Sequence, residues 1–176
     1  MTWPAPTIET ERLVLRGHRL DDFTDHMSLW QDPLVTRFIG GRPFTAEECW
    51  TRFHRFAGHW AMMDFGYWLV RERETGALVG EIGFHDMKRE IVPPFGDAPE
   101  AGWVLAPAMQ GRGFATEALE AAHRWGEEQW GPRRTVCMIS PENAASLRVA
   151  TRTGYKVYAR TEYKGSLVLL LERRPI

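Results

Sequence analysis

Glu100 opens a short apolar stretch, and ten residues later comes Gln110-Gly111-Arg112-Gly113-Phe114-Ala115-Thr116. Glycines lack Cβ, so they let a backbone come close to a ligand and turn its N–H groups toward it. The first amides of a helix have no partner within it, and the helix dipole adds about half a positive charge there. A glycine turn that opens a helix therefore suits an anion, most often a phosphate or pyrophosphate. The same residues would also serve as a plain connecting turn. Two phosphate motifs are excluded: Thr116 stands where a dinucleotide fingerprint needs its third glycine, and no Gly-Lys-Ser/Thr follows as in a P-loop. Arg112 could pair with a phosphate or remain an exposed arginine. Proton-moving groups precede the turn: Glu100, then Glu81 and His85 on a neighbouring segment. Each has an ordinary alternative: a solvated strand-end carboxylate, a polar residue on a wet strand face, and a structural histidine.

The elements that must hold these groups are legible from periodicity. Glu100–Leu105 reads as a strand that Ala106-Pro107 stops, because Pro107 has no N–H for a ladder. Ala115, Ala118, Leu119, Ala122, Trp125 and Gly126 recur at helical spacing. Before them, residues 11–16 alternate as a strand with Leu13 and Leu15 inward. Asp21 or Asp22 then caps a helix with Leu20, Phe23, Met27 and Trp30 on one face, ended by Asp32-Pro33. Thr45 and Glu48 form a capping box for a helix carrying Cys49, Phe53, Phe56, Ala57 and Trp60 inward. Residues 67–71 and 78–84 pair as strands around Glu74-Thr75-Gly76. Residues 86–99 form an irregular loop, and a loop that long is usually functional. Residues 135–139 read as a strand buried on both faces. Asn143 caps a short helix to Arg152 with Gly154 at its end, and 155–160 and 166–171 make a last strand pair. A mixed α/β sheet with helices on its faces follows.

The 176 residues fit one domain, 1–176, with 44% hydrophobic and 26% charged residues. A formal net charge of −1 gives no field favouring nucleic acid or an anionic membrane. Cys49 and Cys137 have no ligand partner at metal-binding spacing and read as core thiols, so no metal is expected. The first residues show no leader pattern and no run approaches ~18 apolar residues, which points to a cytoplasmic protein.

Three stretches together resemble the GNAT N-acetyltransferases. Gln110, Gly113 and Ala115 match the family's motif A, Gln/Arg-x-x-Gly-x-Gly/Ala. Asn143-Ala-Ala-Ser146 with Gly154-Tyr155 is similar to its motif B. Residues 8–16 are similar to the opening strand of the RimJ/RimL-like branch, which includes acetyltransferases of ribosomal-protein N-termini. The resemblance implies a mostly antiparallel central sheet that splays open at the strand Glu100–Leu105, with helices on both faces. It also implies acetyl-CoA as co-substrate, its pantetheine arm lying in the opening. Backbone groups of Trp103, Val104 and Leu105, the turn Gln110, Gly111, Arg112, Gly113, Phe114, Ala115 and Thr116, and Asn143 and Ser146 would contact it.

Transfer to an amine needs a base, and the resemblance points to Glu100, with Glu81 and His85 as alternatives. Many relatives place a proton-donating tyrosine seven residues after the motif B asparagine; here that position is Ala150. Ser146 is the hydroxyl left to assist the thiolate, although a small residue one turn into a helix can simply pack. Tyr155 is expected in the core, and His54, His59 and His123 carry no assigned role. The acceptor, a protein N-terminus or a small-molecule amine, should bind among the first two helices and the 86–99 loop, where Trp30, Phe38, Trp60, Phe65 and Trp68 are available. The partners expected are acetyl-CoA and that amine, with no nucleic acid and no membrane; a homodimer stays open. Two alternatives stand beside this: a non-catalytic acyl-CoA-binding or interaction module, and a transferase using another acyl-CoA.

Overall fold

Eight strands and five helices account for most of residues 5–175, the part of the chain that the computed structural model describes. The expectation of a leaderless start falls partly on residues 1–4, which lie outside the described residues. In chain order the elements are β1 (Ile8–Glu9), β2 (Leu13–Arg16), α1 (Phe23–Trp30), α2 (Pro33–Thr36), α3 (Ala46–Met63), β3 (Tyr67–Glu72) and β4 (Leu78–His85). Then come β5 (Glu100–Leu105), α4 (Phe114–Trp130), β6 (Thr135–Ile139), α5 (Ala144–Arg152), β7 (Lys156–Tyr163) and β8 (Ser166–Arg173). The strands form one sheet in the order β1-β2-β3-β4-β5-β6-β8-β7. Every neighbouring pair is antiparallel except β5 and β6.

Strand alternation gives the sheet two apolar faces. On one, Leu13, Leu15, Val70, Ile82, Phe84 and Leu105 pack against Phe114, Ala118, Leu119 and Ala122 of α4 and Ala150 of α5. On the other, Tyr67 and Val104 pack against Leu29 and Trp30 of α1, Val35 of α2, and Cys49 and Phe56 of α3. Much of the tryptophan surplus is explained here. Trp60, Trp68, Trp125 and Trp130 meet edge to face at centroid distances of 4.8 to 5.4 Å and stitch α3, β3 and α4 together. The 86–99 loop is also anchored: Ile91 is buried against Val168 and Leu170 of β8.

Most of the expected elements are present, and the differences have local causes. The capping box at Thr45 and Glu48 forms as expected. Residues 8–16 are two strands rather than one, since β1 folds back on β2. Asp22 does not cap α1; its carboxylate is drawn instead to Arg16 and Arg71, at 2.7 to 2.9 Å. Leu20 sits in a preceding 3₁₀ turn and is exposed, so α1 buries His26, Leu29 and Trp30 instead. The last two strands each run further than their apolar cores, to Tyr163 and Arg173.

The largest departure is Glu81. It lies in the interior rather than on a wet face, with no solvent exposure. Its Oε1 accepts from His18 Nε2 at 2.8 Å and His26 Nδ1 at 2.6 Å, and its Oε2 accepts from Trp30 Nε1 at 2.8 Å. His26 Nε2 points at the Cys49 carbonyl, 3.0 Å away. Both ring nitrogens of His26 thus face oxygen acceptors, and the ring is held between Glu81 and α3. Burial alone would raise the Glu81 pKa, but the bonds to His18 and His26 outweigh it and hold it down to about 2.

Removing one partner of a buried pair leaves the other charge uncompensated. Glu81→Gln should therefore cost about 3–5 kcal/mol in urea denaturation. A folded pKa below the unfolded one adds stability above the unfolded value. The Glu81 contribution should be complete above about pH 4.5 and be lost as pH falls toward about 2. A loss under about 1 kcal/mol for Glu81→Gln would contradict a buried, ionised carboxylate at this position.

Candidate active site

β5 and β6 run parallel and share a single registered pair, Glu100↔Val136. β4, by contrast, follows β5 from Glu100 to Leu105. Past Glu100, β5 is therefore paired on one side only. Backbone groups alternate sides along a strand. The Ala106 amide donates to Val79 and the Val104 carbonyl lies against Gly80, so Val104 and Ala106 face β4. Trp103 and Leu105 consequently turn their N–H and C=O groups toward the opening. Of the three backbone positions expected to meet a ligand, Val104 is already engaged in the sheet. Gln110 Nε2 reaches the Leu105 carbonyl at 3.3 Å, which ties the start of the turn to that edge.

The turn at the far end of the opening has the expected form. Gly113 is the N-cap of α4 with φ of 80°, and Gly111 has φ of 74°. The left-handed region is open to glycine at little cost. The amides of Gly111 through Thr116 meet no backbone acceptor among the described residues. Phe114 and Ala115 are buried and anchor this first turn in the core. Arg112 does not stand free: its Nη2 lies 2.6 Å from Glu72 Oε1, with its guanidinium 4.4 Å from the Phe114 ring centroid. Arg12, which sequence reasoning treated only as a strand residue, also lies over the Phe114 ring, at 4.6 Å, and donates to the Arg112 carbonyl at 2.8 Å. Arg12 and Thr10 also engage Glu117, at 2.7 and 2.6 Å, so its charge near the free amides is countered. A depression beside Gly113 and Thr116 carries Arg124 and Arg152.

At the closed end of the opening sit Glu100, His85 and Tyr67. Glu100 is buried, and its Oε2 accepts from Arg89 Nε at 2.6 Å. His85 Nε2 lies 3.3 Å from the same oxygen but off the line of a hydrogen bond, so both His85 nitrogens are buried without a partner among the described residues. Glu100 Oε1 has no partner there either. Burial would raise the Glu100 pKa, but His85 and Arg89 overcome it and keep the carboxyl below its ordinary range. Burial pushes His85 the opposite way, below the usual histidine value, with Glu100 opposing. A carboxylate beside a neutral imidazole results. Tyr67 meets His85 edge to face at 5.1 Å between centroids, and its hydroxyl lies over Gly102 of β5, where a Cβ would come within 1.8 Å of the oxygen. Burial pushes the phenol pKa up, so it stays protonated.

Across the opening, Asn143 Oδ1 accepts from the Ser146 amide at 3.1 Å and caps α5. The Ser146 hydroxyl is half-buried and bonds to no described residue. Ala150 is fully buried against the sheet. Tyr155 is in the core, bonded to Thr135 at 2.9 Å and to His123 at 3.1 Å, and burial holds His123 neutral at about 3. His59, given no role from sequence, accepts from the Asp86 amide and donates to the Phe65 carbonyl, fixing the start of the 86–99 loop.

Glu81 cannot reach the opening, because both its oxygens are taken inside the core. His18, His26 and Glu81 are ligand types that could hold a metal, with donor atoms within 4.8 Å. Here they already satisfy one another. Of the aromatics expected to line an acceptor site, Trp60, Phe65 and Trp68 are core, and Trp30 is bound to Glu81. Trp103 Nε1 is buried with no partner among the described residues.

A family model for the acetyltransferase (GNAT) domain matches residues 12–156. The chain is 26% identical over 152 residues to the uncharacterized N-acetyltransferase YoaA of Bacillus subtilis, spanning 86% of this chain and 83% of that one. A chain assigned to the GnaT-family acetyltransferases of Bordetella pertussis superposes with a TM-score of 0.85 at 32% identity, over 96% of this chain and 99% of that one. RimL, a ribosomal L7/L12 alpha-N-protein acetyltransferase in complex with coenzyme A, has the same fold, with a TM-score of 0.79 at 18% identity over 97% and 98% of the two chains.

The contact between Tyr67 and Gly102 can be tested without any ligand. Gly102→Ala should cost about 1–3 kcal/mol by overpacking. Adding Tyr67→Phe removes the atom in the way and should recover most of that loss, a coupling of at least ~1 kcal/mol between the two sites. Urea denaturation of the four variants measures it, and additive effects would mean that the phenol does not lie there.

Proposed function

The chain belongs to the GNAT acetyltransferases and is an acetyltransferase; from that premise we propose that it moves the acetyl group of acetyl-CoA to a primary amine by direct transfer in a ternary complex. The observation that carries this is the one-sided β5 strand, whose free edge runs from the Glu100 and His85 end to the glycine turn. An extended thioester arm laid along that edge would meet the Trp103 and Leu105 backbone groups. The free amides of the turn suit its pyrophosphate. RimL holds coenzyme A on the same fold, which supports the choice of co-substrate. That likeness and the opening strand favour the RimJ/RimL-like branch.

The amine enters from the α1 and α3 face as a nucleophile. Its nitrogen attacks the thioester carbon, and the oxygen that gains charge is held by a backbone N–H of β5. Glu100 and His85 act together as the base, taking the amine proton directly or through one water. The C–S bond then breaks and the thiolate leaves, and the Ser146 hydroxyl donates a hydrogen bond to it in this reading. Asn143 shapes the same end of α5 through its cap. Nothing in this chemistry calls for a metal.

The test is thiol release from acetyl-CoA with a panel of amines, with the acetylated product identified by mass. Release that depends on an amine is the expected outcome. Glu100→Gln should lower kcat by ~10²–10⁴-fold, with acetyl-CoA affinity retained. The acidic limb of its pH–rate profile should also move to lower pH, because the lost carboxylate no longer supports the proton on His85. A normal rate and profile in Glu100→Gln would assign proton removal to solvent.

A further inference from the structure

Helix α3 carries two arginines that pair with no carboxylate among the described residues. Arg52 and Arg55 are three residues apart, which places them side by side on one helix face. Both are partly buried, and neither makes an ion pair or hydrogen bond to a described residue; Arg52 Nε is wholly buried with no partner. The charges around them are otherwise spoken for. Glu81 is taken up by His18, His26 and Trp30, and Glu100 is paired with Arg89. Arg89 is itself held over the Tyr163 ring at 5.3 Å. The nearby Tyr67 is a neutral phenol. That leaves two guanidinium groups in excess at the edge of the proposed reaction site.

Their geometry is that of a receptor for an anion. The Arg52 guanidinium lies over Trp30, 4.0 Å from the ring centroid, and 4.7 Å from that of Phe44. Stacking on an aromatic face occupies the plane of a guanidinium and leaves its in-plane N–H groups free for a planar partner. Arg55 lies 5.8 Å from the Phe56 ring centroid, Phe56 meets Tyr67 at 4.6 Å, and Tyr67 meets His85 at 5.1 Å, so a run of contacting rings links Arg55 to the Glu100 end. Burial and mutual repulsion push Arg52 down to about 10, the reverse of what a built-in counter-ion would do. A carboxylate fits the need: it is planar, it takes paired N–H donors, and it restores neutrality.

We infer that the acceptor amine carries a carboxylate, bound by Arg52 and Arg55 while its amino group meets Glu100 and His85. This rests on the transfer reading above for where the amine lies. The carboxylate could be an amino acid's own or an acidic side chain next to a peptide N-terminus; the two sources differ in reach, and the test separates them.

The experiment compares matched acceptors: an α-amino acid with its amide, and a peptide bearing Asp at its second position with the Asn form. In the wild type, kcat/KM should favour the acid of one pair by on the order of tenfold or more. The pair that shows it identifies the source. Arg52→Gln and Arg55→Gln should bring the acid-to-amide ratio toward one, and Arg55→Lys should keep part of it. A merely structural role would lower both members together, and that result, or equal use of acid and amide by the wild type, overturns the inference. Should no amine be acetylated, the transfer reading fails by itself. Titration of an N-acetylated amino acid into the protein–coenzyme A complex then decides the carboxylate site. Binding that Arg55→Gln weakens tenfold sustains it, and no binding to the wild type overturns it.

Discussion

Everything at the site depends on β5 having one neighbour where a central strand normally has two. A strand inside a sheet satisfies its backbone groups on both sides, and an unpaired edge in the interior must find a partner or water. Here β5 runs along β4 for its full length but meets β6 at a single pair, Glu100↔Val136. The unpaired edge is polar, linear and of fixed spacing, and it ends at a turn with free amides. An extended polar chain that finishes in a phosphate matches those features.

That arrangement is expensive to hold rigid, and the neighbouring strand supplies the rigidity. Glu81 of β4 pairs in register with Val104 of β5. Through its two oxygens it fastens β4 to His18 and to His26 and Trp30 of α1. Helix α1 in turn packs on α3, where Arg52 lies over Trp30. A buried carboxylate of this kind contributes little net stability when fully paired, but it leaves few alternative packings. The chemistry proposed for Glu100 and the scaffold at Glu81 thus use the same residue type for opposite purposes. One has an oxygen left over, and the other has none.

The sequence disclosed the parts of the site made by consecutive residues. Gly111 and Gly113 between strand and helix, the Asn143 cap and the Thr45 capping box each act through neighbours a few positions away, so spacing reveals them. Glu81 was misread because alternation cannot tell a polar face from a charge whose partners come from residues 18, 26 and 30. Asp22 went the same way: a good cap by local rules, it is drawn off by Arg16 and Arg71. Arg12 and its stacking on Phe114 join residues about a hundred positions apart, and no local pattern marks such a contact. The partners of His59 and the unpaired state of Arg52 became visible only with the helices packed on the sheet.

Residue-resolved amide exchange on β5, with and without acetyl-CoA, tests most directly whether its free edge is the binding surface. The Val104 amide, bonded within the sheet, should exchange slowly in both states. The Trp103 and Leu105 amides face the opening and should exchange quickly alone and slow markedly when acetyl-CoA is added. Unchanged exchange at Trp103 and Leu105 in a sample saturated with acetyl-CoA would contradict the edge as its site.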